Sequence, residues 1–391
     1  MFRVLHLTKY LKSRKSHAII AVFTMFITSP FIVYSQIILQ KKGEFKINSL
    51  SPIEILDYHS ETQYFLGYTR TLDGLNLCLV NGDGEIIIQK KLVGEGPDRV
   101  KTSINCVAFS EEGEVWVQSP SEIVLLDQNL NIKTRTKYQS GTNIQIYGRI
   151  EYLEYYYPQN SFSKFTFSTI PNGTSAYLDG RDFRNSHLIE FLDFEHEKLF
   201  EIGPVSDRGN FKLLDKSIGS IYFPIFTIDR VNKKLFLTTS LDDEITIYDL
   251  KSQKLESRIK INHYEFKILN SGRIALSRLP SYNNRINLGA RNHKIFSLED
   301  GLMLLEYIQE IPSGIYEQKK ALDSEYHHFK DPYYHKLILF NENKQLSEDI
   351  PMPNNGKLMI SMPKNQLLFQ IIDPEVEEDF IRYEIFEIVN E

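Results

Sequence analysis

The stretch Lys91-Leu92-Val93-Gly94-Glu95-Gly96-Pro97-Asp98-Arg99-Val100 carries the clearest structural signal in this sequence of 391 residues. Two glycines and a proline interrupt a chain that is strand-like before it, at 85–92, and again after about Ile104. Such residues mark a place where the backbone changes direction. A similar strand exit occurs at 198–204, where an apolar run again ends in Gly-Pro. The recurrence predicts a fold of repeated units, with these segments as the connections between them.

Short strands of about four to eight residues follow one another from Gln36 onward, separated by glycine, asparagine, aspartate and serine. Helical periodicity is nearly absent. Two groups, 107–138 and 223–261, show four such strands joined by short turns, and in both the third strand ends in an aspartate, Asp127 or Asp249. We interpret these carboxylates as acceptors for backbone N–H groups of the following turn. Four antiparallel strands joined in this way are typical of one blade of a β-propeller.

Six such groups account for most of the chain. We therefore predict an all-β fold, a six-bladed β-propeller of four-stranded antiparallel blades. The last group offers only three strands, at 357–361, 366–371 and 382–388, while the N-terminal segment 38–47 is left over. We expect this segment to complete the last blade and close the ring, because closure removes exposed sheet edges. No linker divides residues 36–391, which predicts a single propeller domain.

The N-terminus has the form of a secretory signal. Residues 1–17 carry five basic and no acidic side chains, and an apolar run from Ala18 to Tyr34 follows. We expect residues 1–35 to be a signal peptide that is cleaved after Ser35, and the protein to be exported to the periplasm or the cell exterior. The alternative is a retained membrane anchor, although the apolar run is short for a span and contains Pro30.

Charge and cysteine content exclude some classes of function. Without residues 1–35 the chain has 40 Lys and Arg against 51 Asp and Glu. An acidic protein of this kind lacks the basic face that nucleic acid requires, so we expect no nucleic-acid partner. Contact with a membrane is expected only if the N-terminal segment is retained. The two cysteines, Cys78 and Cys106, lie in strand-like runs and are interpreted as buried free thiols.

Two groups of residues resemble ligand contacts. The first is a loop cluster that combines an aromatic ring with planar amide and guanidinium groups, which suit sugars, peptides or carboxylates: Arg278, Tyr282, Asn283, Asn284 and Arg285. The second is Glu95 with Arg99, next to the first connection between units. The alternatives are an ordinary solvated loop for the cluster and a surface ion pair for Glu95 and Arg99.

No metal site, catalytic residue or cofactor is predicted. His327, His328, Asp331 and His335 have a spacing that could converge on one ion. In a strand, however, His327 and His328 would point to opposite faces, and Asp331-Pro332 suits a turn. The sequence has no Gly-x-Ser-x-Gly elbow, no His-Glu-x-x-His and no phosphate-binding glycine loop. The absence of these motifs does not exclude an enzyme, because a propeller can assemble an active site from residues of several blades.

Three features together resemble a known group of proteins: the N-terminal signal, the Gly94–Pro97 connection, and the pattern Phe329-Lys330-Asp331-Pro332-Tyr333-Tyr334-His335 before a strand. They are similar to the six-bladed propeller proteins of Bacteroidetes, especially the DUF4221-like group, with a TolB/NHL-like propeller. The resemblance implies fold and export, and it implies no catalytic residues. Many relatives are lipoproteins, whereas in this chain no cysteine directly follows the apolar run.

Two main functions remain open. The first is a binding or scaffold propeller that holds a protein, peptide or glycan at one end of its central channel. The second is a hydrolase or lyase whose active site is assembled from several blades. A buried, converging group of Asp, Glu and His in the channel would favour the enzyme. A channel of aromatic and neutral polar side chains, with no acid of perturbed pKa, would favour the binding protein. A membrane-tethered sensor is a third possibility if the N-terminal segment is retained.

Overall fold

A computed structural model describes residues 36–138, 150–158, 166–168, 187–193, 198–208, 224–266, 288–373 and 378–390. Ile38–Val389 belong to one compact unit. Its six sheets are the blades of a six-bladed β-propeller built from four-stranded antiparallel sheets, which confirms the predicted fold class.

The first two blades follow each other along the chain, after a strand that belongs to the last blade, β1 (Ile37–Ile47). Blade 1 consists of β2 (Ile53–His59), β3 (Tyr64–Thr71), β4 (Gly74–Val80) and β5 (Ile86–Lys91). Blade 2 consists of β6 (Cys106–Phe109), β7 (Val115–Gln118), β8 (Glu122–Leu126) and β9 (Ile132–Lys137). A further short strand, β10 (Glu151–Tyr152), pairs in parallel with β6 at the edge of blade 2.

The next two blades repeat this order. Blade 3 consists of β11 (Tyr155–Tyr156), β12 (Thr166–Ser168), β13 (His187–Asp193) and β14 (Lys198–Pro204). Blade 4 consists of β15 (Pro224–Asp229), β16 (Lys234–Thr239), β17 (Glu244–Asp249) and β18 (Lys254–Lys260).

Blade 5 contains an insertion between its second and third strands, and part of it is helical. The blade consists of β19 (Arg291–Ser297), β20 (Met303–Ile308), β21 (His335–Phe340) and β22 (Ile350–Pro351). The helix α1 (Ser313–Leu322) lies between β20 and β21. Residues 273–277, whose sequence Arg-Ile-Ala-Leu-Ser predicts a further strand, lie outside the described residues. Among the described helices, none has the length and apolar character that crossing a membrane would need.

The last blade closes the ring with the N-terminal strand. Blade 6 consists of β23 (Gly356–Met362), β24 (Gln366–Ile371), β25 (Ile381–Asn390) and β1. An ion pair between Lys41 Nζ and Glu384 Oε1, 2.7 Å apart, joins β1 to β25. The expectation that the leftover N-terminal segment completes the three-stranded last group is therefore confirmed.

Apolar side chains fill the spaces between neighbouring blades. One cluster joins blades 1 and 2 and includes Leu66 and Val117, and another joins blades 4 and 5 and includes Phe236 and Leu305. The strands nearest the channel and in the middle of each blade are mostly buried, whereas the outer strand β5 alternates between partly buried and exposed residues. This is the pattern expected when sheets pack on both faces and only their outer edge meets solvent.

The Gly94–Pro97 segment connects β5 of blade 1 to β6 of blade 2, as predicted. The N–H of Gly94 donates to the carbonyl oxygen of Val100 at 3.0 Å. The N–H of Val100 donates to the carbonyl oxygen of Leu92 at 2.9 Å. Gly94 and Gly96 have φ values of 155° and 123°, a region that favours glycine because other residues clash there.

Turn aspartates have the structural role that their position predicted. Asp127 Oδ1 accepts from the backbone N–H of Asn129 at 2.9 Å and of Asn131 at 2.7 Å, and Asp249 Oδ1 accepts from that of Ser252 at 2.6 Å. Cys78 and Cys106 are free, buried thiols in blades 1 and 2, also as predicted.

Candidate functional site

A cavity of about 1100 Å³ lies at the centre of the propeller, and all six blades contribute to its lining. Most of the lining comes from the ends of the inner strands and the turns that follow them. The contributing segments are 56–61, 109–111, 151–152, 224–232, 293–301 and 359–363, with Cys106, Glu154 and Ser168. Because each blade supplies one short piece, residues far apart in sequence meet here.

Asp57, near the end of β2, links blade 1 to blade 2. Its Oδ2 accepts from the backbone N–H of Phe109 at 2.7 Å, and its Oδ1 accepts from that of Tyr58 at 2.8 Å. Protein atoms surround the carboxyl although part of the residue faces the cavity. Burial raises the pKa of Asp57 to about 6, and the positive charge of Arg230 limits the rise.

Glu154 lies between β10 and β11 and reaches across to blade 4. Its Oε2 accepts from the backbone N–H of Ile228 at 3.1 Å, and the side chain of Thr227 also bonds to it. Burial raises the pKa of Glu154 to about 7, the charge of Asp57 adds to the rise, and the hydrogen bonds and Arg230 oppose it. The carboxyl of Glu154 therefore changes between its neutral and ionised forms near neutral pH.

Arg230 follows β15 directly and provides the positive charge of the site. Its Nη1 donates to the hydroxyl of Tyr155 at 2.5 Å and lies 3.6 Å from Glu111 Oε1. Its Cζ lies 4.7 Å from the centroid of the Tyr155 ring, a cation–π contact. The Tyr155 hydroxyl donates in turn to the backbone oxygen of Phe109 at 2.7 Å. Blades 2, 3 and 4 thus hold the guanidinium in place.

The lining is mainly acidic. Among the described residues it contains eight carboxylic side chains, two of them Asp57 and Glu154, against two basic ones, Arg230 and Lys294. His59 also lines the cavity, with Nδ1 3.0 Å from Thr62 Oγ1 and Nε2 3.2 Å from the backbone oxygen of Glu111. The arrangement can hold a polar ligand between a fixed cation and carboxyls that change their charge near neutral pH.

The structure places Glu95 and Arg99 in the connection between blades 1 and 2, and neither lines the cavity. Glu95 is exposed, and the backbone oxygen of Arg99 accepts from Arg135 Nη2 at 2.7 Å. The other predicted contacts, Arg278, Tyr282, Asn283, Asn284 and Arg285, lie outside the described residues. All seven stay predictions of ligand contacts.

His335 and Asp331, two of the residues with metal-like spacing, bond to different partners. His335 Nδ1 lies 2.6 Å from Glu306 Oε1, and His335 Nε2 lies 3.1 Å from the backbone oxygen of Phe329. Asp331 Oδ2 accepts from Lys319 and from Tyr326, both at 2.8 Å. Within the described ranges no group of three or more His, Cys, Asp or Glu side chains is placed to hold a metal ion.

Asp57, Glu154 and Arg230 were missed in the sequence because no short motif contains them. One signal was present: Glu154 is the single charged residue in the aromatic run 152–157. A run of tyrosines such as Tyr155, Tyr156 and Tyr157 is more typical of packing between blades than of a ligand site, and Tyr155 and Tyr156 are buried. A carboxylate inside such a run needs a polar partner, and here the partner comes from blade 4.

Two of the solved structures that match this chain come from Bacteroides. A member of the DUF4221 family from Bacteroides vulgatus has a TM-score of 0.66 and 10% sequence identity, with 92% of this chain and 100% of that chain covered. A protein of unknown function from Bacteroides caccae has a TM-score of 0.39 and 10% identity, over 81% of this chain and 94% of that one. No family model and no curated protein matches the sequence. The resemblance to the DUF4221-like propellers is confirmed in the fold.

Proposed function

We propose that this protein is an exported binding propeller that takes a small polar ligand, of the peptide or glycan class, into its central cavity. The observation that carries the proposal is the convergence of Asp57, Glu154 and Arg230 on one cavity from three parts of the ring. Its volume of about 1100 Å³ is slightly larger than the usual range for small-molecule sites, about 300–1,000 Å³.

The charged groups are held in place without a ligand. Asp57 and Glu154 accept hydrogen bonds from backbone N–H groups of neighbouring blades, and Arg230 lies against a buried tyrosine. Backbone donors on strands do not rearrange easily, so binding costs little ordering of these side chains. A rigid site of this kind favours a specific small ligand over a loosely held surface contact.

Export is the part of the proposal that rests on the sequence. Residues 1–35 have the order of basic, apolar and small residues that signal peptides share. N-terminal sequencing of the protein released from cells tests it: a start at Gln36 supports cleavage after Ser35. A protein that stays with the membrane and begins at Met1 would instead support the tethered sensor.

A hydrolase or lyase is the second candidate, and the raised pKa values favour it. A carboxyl with a pKa of about 7 can donate a proton near neutral pH, and a second one with a pKa of about 6 can accept one. Asp57 and Glu154 supply the acids expected of such a site, and His59 lines the same cavity. We rank binding first because both carboxyls already hold inner strands together through backbone N–H groups.

A ligand-dependent melting screen tests the proposed site. The purified protein is melted with glycans, short peptides and divalent cations, and so are the variants Arg230→Gln and, as a control outside the cavity, Arg135→Gln. We expect one class to raise the melting temperature of the parent and the control but not of Arg230→Gln, since a ligand stabilises only the state that binds it. An equal rise in Arg230→Gln would place the ligand elsewhere, and no rise with any class would favour a protein partner. Turnover of the stabilising compound would support the enzyme.

A further inference from the structure

The guanidinium of Arg230 has one side engaged and one side open. Its Nη1 takes both protein contacts, the hydroxyl of Tyr155 and the carboxylate of Glu111. Among the described residues, no hydrogen-bond or ion-pair partner lies at Nε or Nη2. The side chain is 36% exposed and lines the cavity. Two parallel N–H donors therefore remain for a ligand.

The open side of Arg230 has the geometry that a carboxylate fits. Guanidinium groups bind carboxylates through two parallel N–H···O bonds, which a lysine ammonium cannot reproduce. The Tyr155 ring lies 4.7 Å from Cζ, and Tyr155 itself is only 1% exposed and bonded to Phe109. The orientation of the donors is thus fixed before a ligand arrives, which lowers the entropy cost of binding.

Carboxyls near Arg230 select against a simple anion. The positive charge of Arg230 interacts electrostatically with the carboxyls of Asp57 and Glu154, and Glu111 Oε1 lies 3.6 Å from Arg230 Nη1. A ligand with only negative charge would be repelled by these carboxylates, and a ligand with only positive charge would be repelled by Arg230. A ligand with both charges avoids either repulsion, because its ammonium group can face the carboxyls while its carboxylate lies on the guanidinium.

We propose that the cavity ligand is a zwitterion, a free amino acid or short peptide, whose carboxylate binds Nε and Nη2 of Arg230 and whose ammonium faces Asp57 and Glu154. This inference rests on the proposed function, since it names the ligand class of the same cavity. It excludes neutral glycans from the Arg230 subsite.

Matched ligands test the inference with the unaltered protein. The twenty free amino acids and the corresponding homodipeptides are compared with their amides, which lack the carboxylate, and their N-acetyl forms, which lack the ammonium. We expect at least one parent compound to raise the melting temperature, and its two derivatives to bind at least about tenfold more weakly, since each loses one charged contact of about 1.4 kcal/mol or more.

Two conservative variants complete the test. Arg230→Lys keeps the charge but removes the paired donors, and we expect about a tenfold loss of affinity for the parent compound. In the parent protein the guanidinium of Arg135 contacts backbone oxygens outside the cavity. The control variant Arg135→Lys should therefore bind the parent compound as the unaltered protein does. If a neutral glycan binds and the amino acids do not, the zwitterion is wrong and the proposed function stands. If no compound binds, both are wrong.

Discussion

The hydroxyl of Tyr383, on β25 of blade 6, donates a 2.5 Å hydrogen bond to the backbone oxygen of Ile53, on β2 of blade 1. Tyr383 is fully buried, and its ring stacks on Phe45 of β1 with centroids 5.0 Å apart. The last blade, the first blade and the N-terminal strand therefore meet at one side chain. Together with the pairing of β1 with β25 and the ion pair between Lys357 Nζ and Glu54 Oε2, 2.6 Å apart, this contact contributes to closing the ring.

Removing the hydroxyl should weaken that closure. We expect Tyr383→Phe to lower the free energy of unfolding by about 1–3 kcal/mol, because the buried Ile53 carbonyl loses its partner while the ring packing is kept. Urea unfolding followed by circular dichroism measures the change. The control is Tyr333→Phe, whose side chain is exposed and should change stability by less than about 0.5 kcal/mol. Equal midpoints for the two variants would contradict the role of Tyr383.

How far the sequence predicts this protein depends on whether a feature is local. Strands and their turns are local, so the Asn and Gly turns, the Gly94–Pro97 connection and the turn aspartates could be recognised. Ring closure by β1 also followed from a simple count, since three strands were left in the last group and one strand remained unused.

The cavity site is not local, and this is why it was missed. Asp57, Glu154 and Arg230 come from blade 1, the segment before blade 3, and blade 4, and only the ring geometry brings them together. The helical character of the blade 5 insertion was missed for another reason. The stretch 313–322 buries only Tyr316, so it has no apolar stripe that would reveal a helix.

A fully buried ion pair links the end of blade 3 to blade 4. Arg208 Nη1 lies 3.2 Å from Asp242 Oδ2, and neither side chain has any exposed surface. Arg208 also donates to the backbone oxygen of Leu237 and to the hydroxyl of Thr246. Removing one partner would leave the other charge buried and unpaired, which costs more than the pair itself contributes.

We expect Asp242→Ala to lower the free energy of unfolding by about 3–5 kcal/mol, as measured by denaturant titration. The neighbouring Asp243→Ala is the control, because Asp243 pairs with Lys260 at the surface and should cost about 1 kcal/mol or less. Replacing both partners with apolar residues, Arg208→Met with Asp242→Leu, should restore much of the loss. A single variant as stable as the Asp243 control would contradict the assigned cost of the unpaired charge.

His328 should make the insertion of blade 5 sensitive to acid. It is 1% exposed, and neither ring nitrogen has a hydrogen-bond partner within the described part of the chain. Burial and the nearby charge of Arg291 lower the pKa of His328 to about 4, from an ordinary 6.5. The unfolded chain therefore binds a proton that the folded chain does not, and stability falls as the pH drops from about 6.5 to about 4.

His328→Leu should remove this acid sensitivity. At pH 7 we expect a change within about 1 kcal/mol, because an unsatisfied polar ring is replaced by an apolar side chain. At pH 5 the variant should be about 1–2 kcal/mol more stable than the parent, since it has no proton to exclude. His327 is the partly exposed neighbour of His328, and the variant His327→Leu serves as the control. Parallel pH profiles of the parent and the His328 variant, from urea unfolding between pH 4 and 7, would refute the prediction.

Glu154 should have the opposite effect at higher pH. Its pKa is raised to about 7 from an ordinary 4.5, so the folded state holds a proton that the unfolded chain has lost, and stability falls as the pH rises through this window. We expect Glu154→Gln to flatten that fall, because the amide stays neutral and can still accept from Ile228. The upper limit of the slope is about 1.4 kcal/mol per pH unit, and contact with cavity water reduces it.

The difference in unfolding free energy between parent and Glu154→Gln, followed from pH 5 to pH 8, isolates this one group. Groups that do not interact with residue 154 contribute equally in both proteins and cancel in the difference. The control is Glu95→Gln, because Glu95 is exposed. This variant should leave the pH dependence of the unfolding free energy unchanged. A rising stability of the variant relative to the parent with increasing pH supports the buried proton. A constant difference would mean that Glu154 is ionised in the folded protein throughout, and the carboxyl could then act neither as a proton donor nor as a switch of cavity charge.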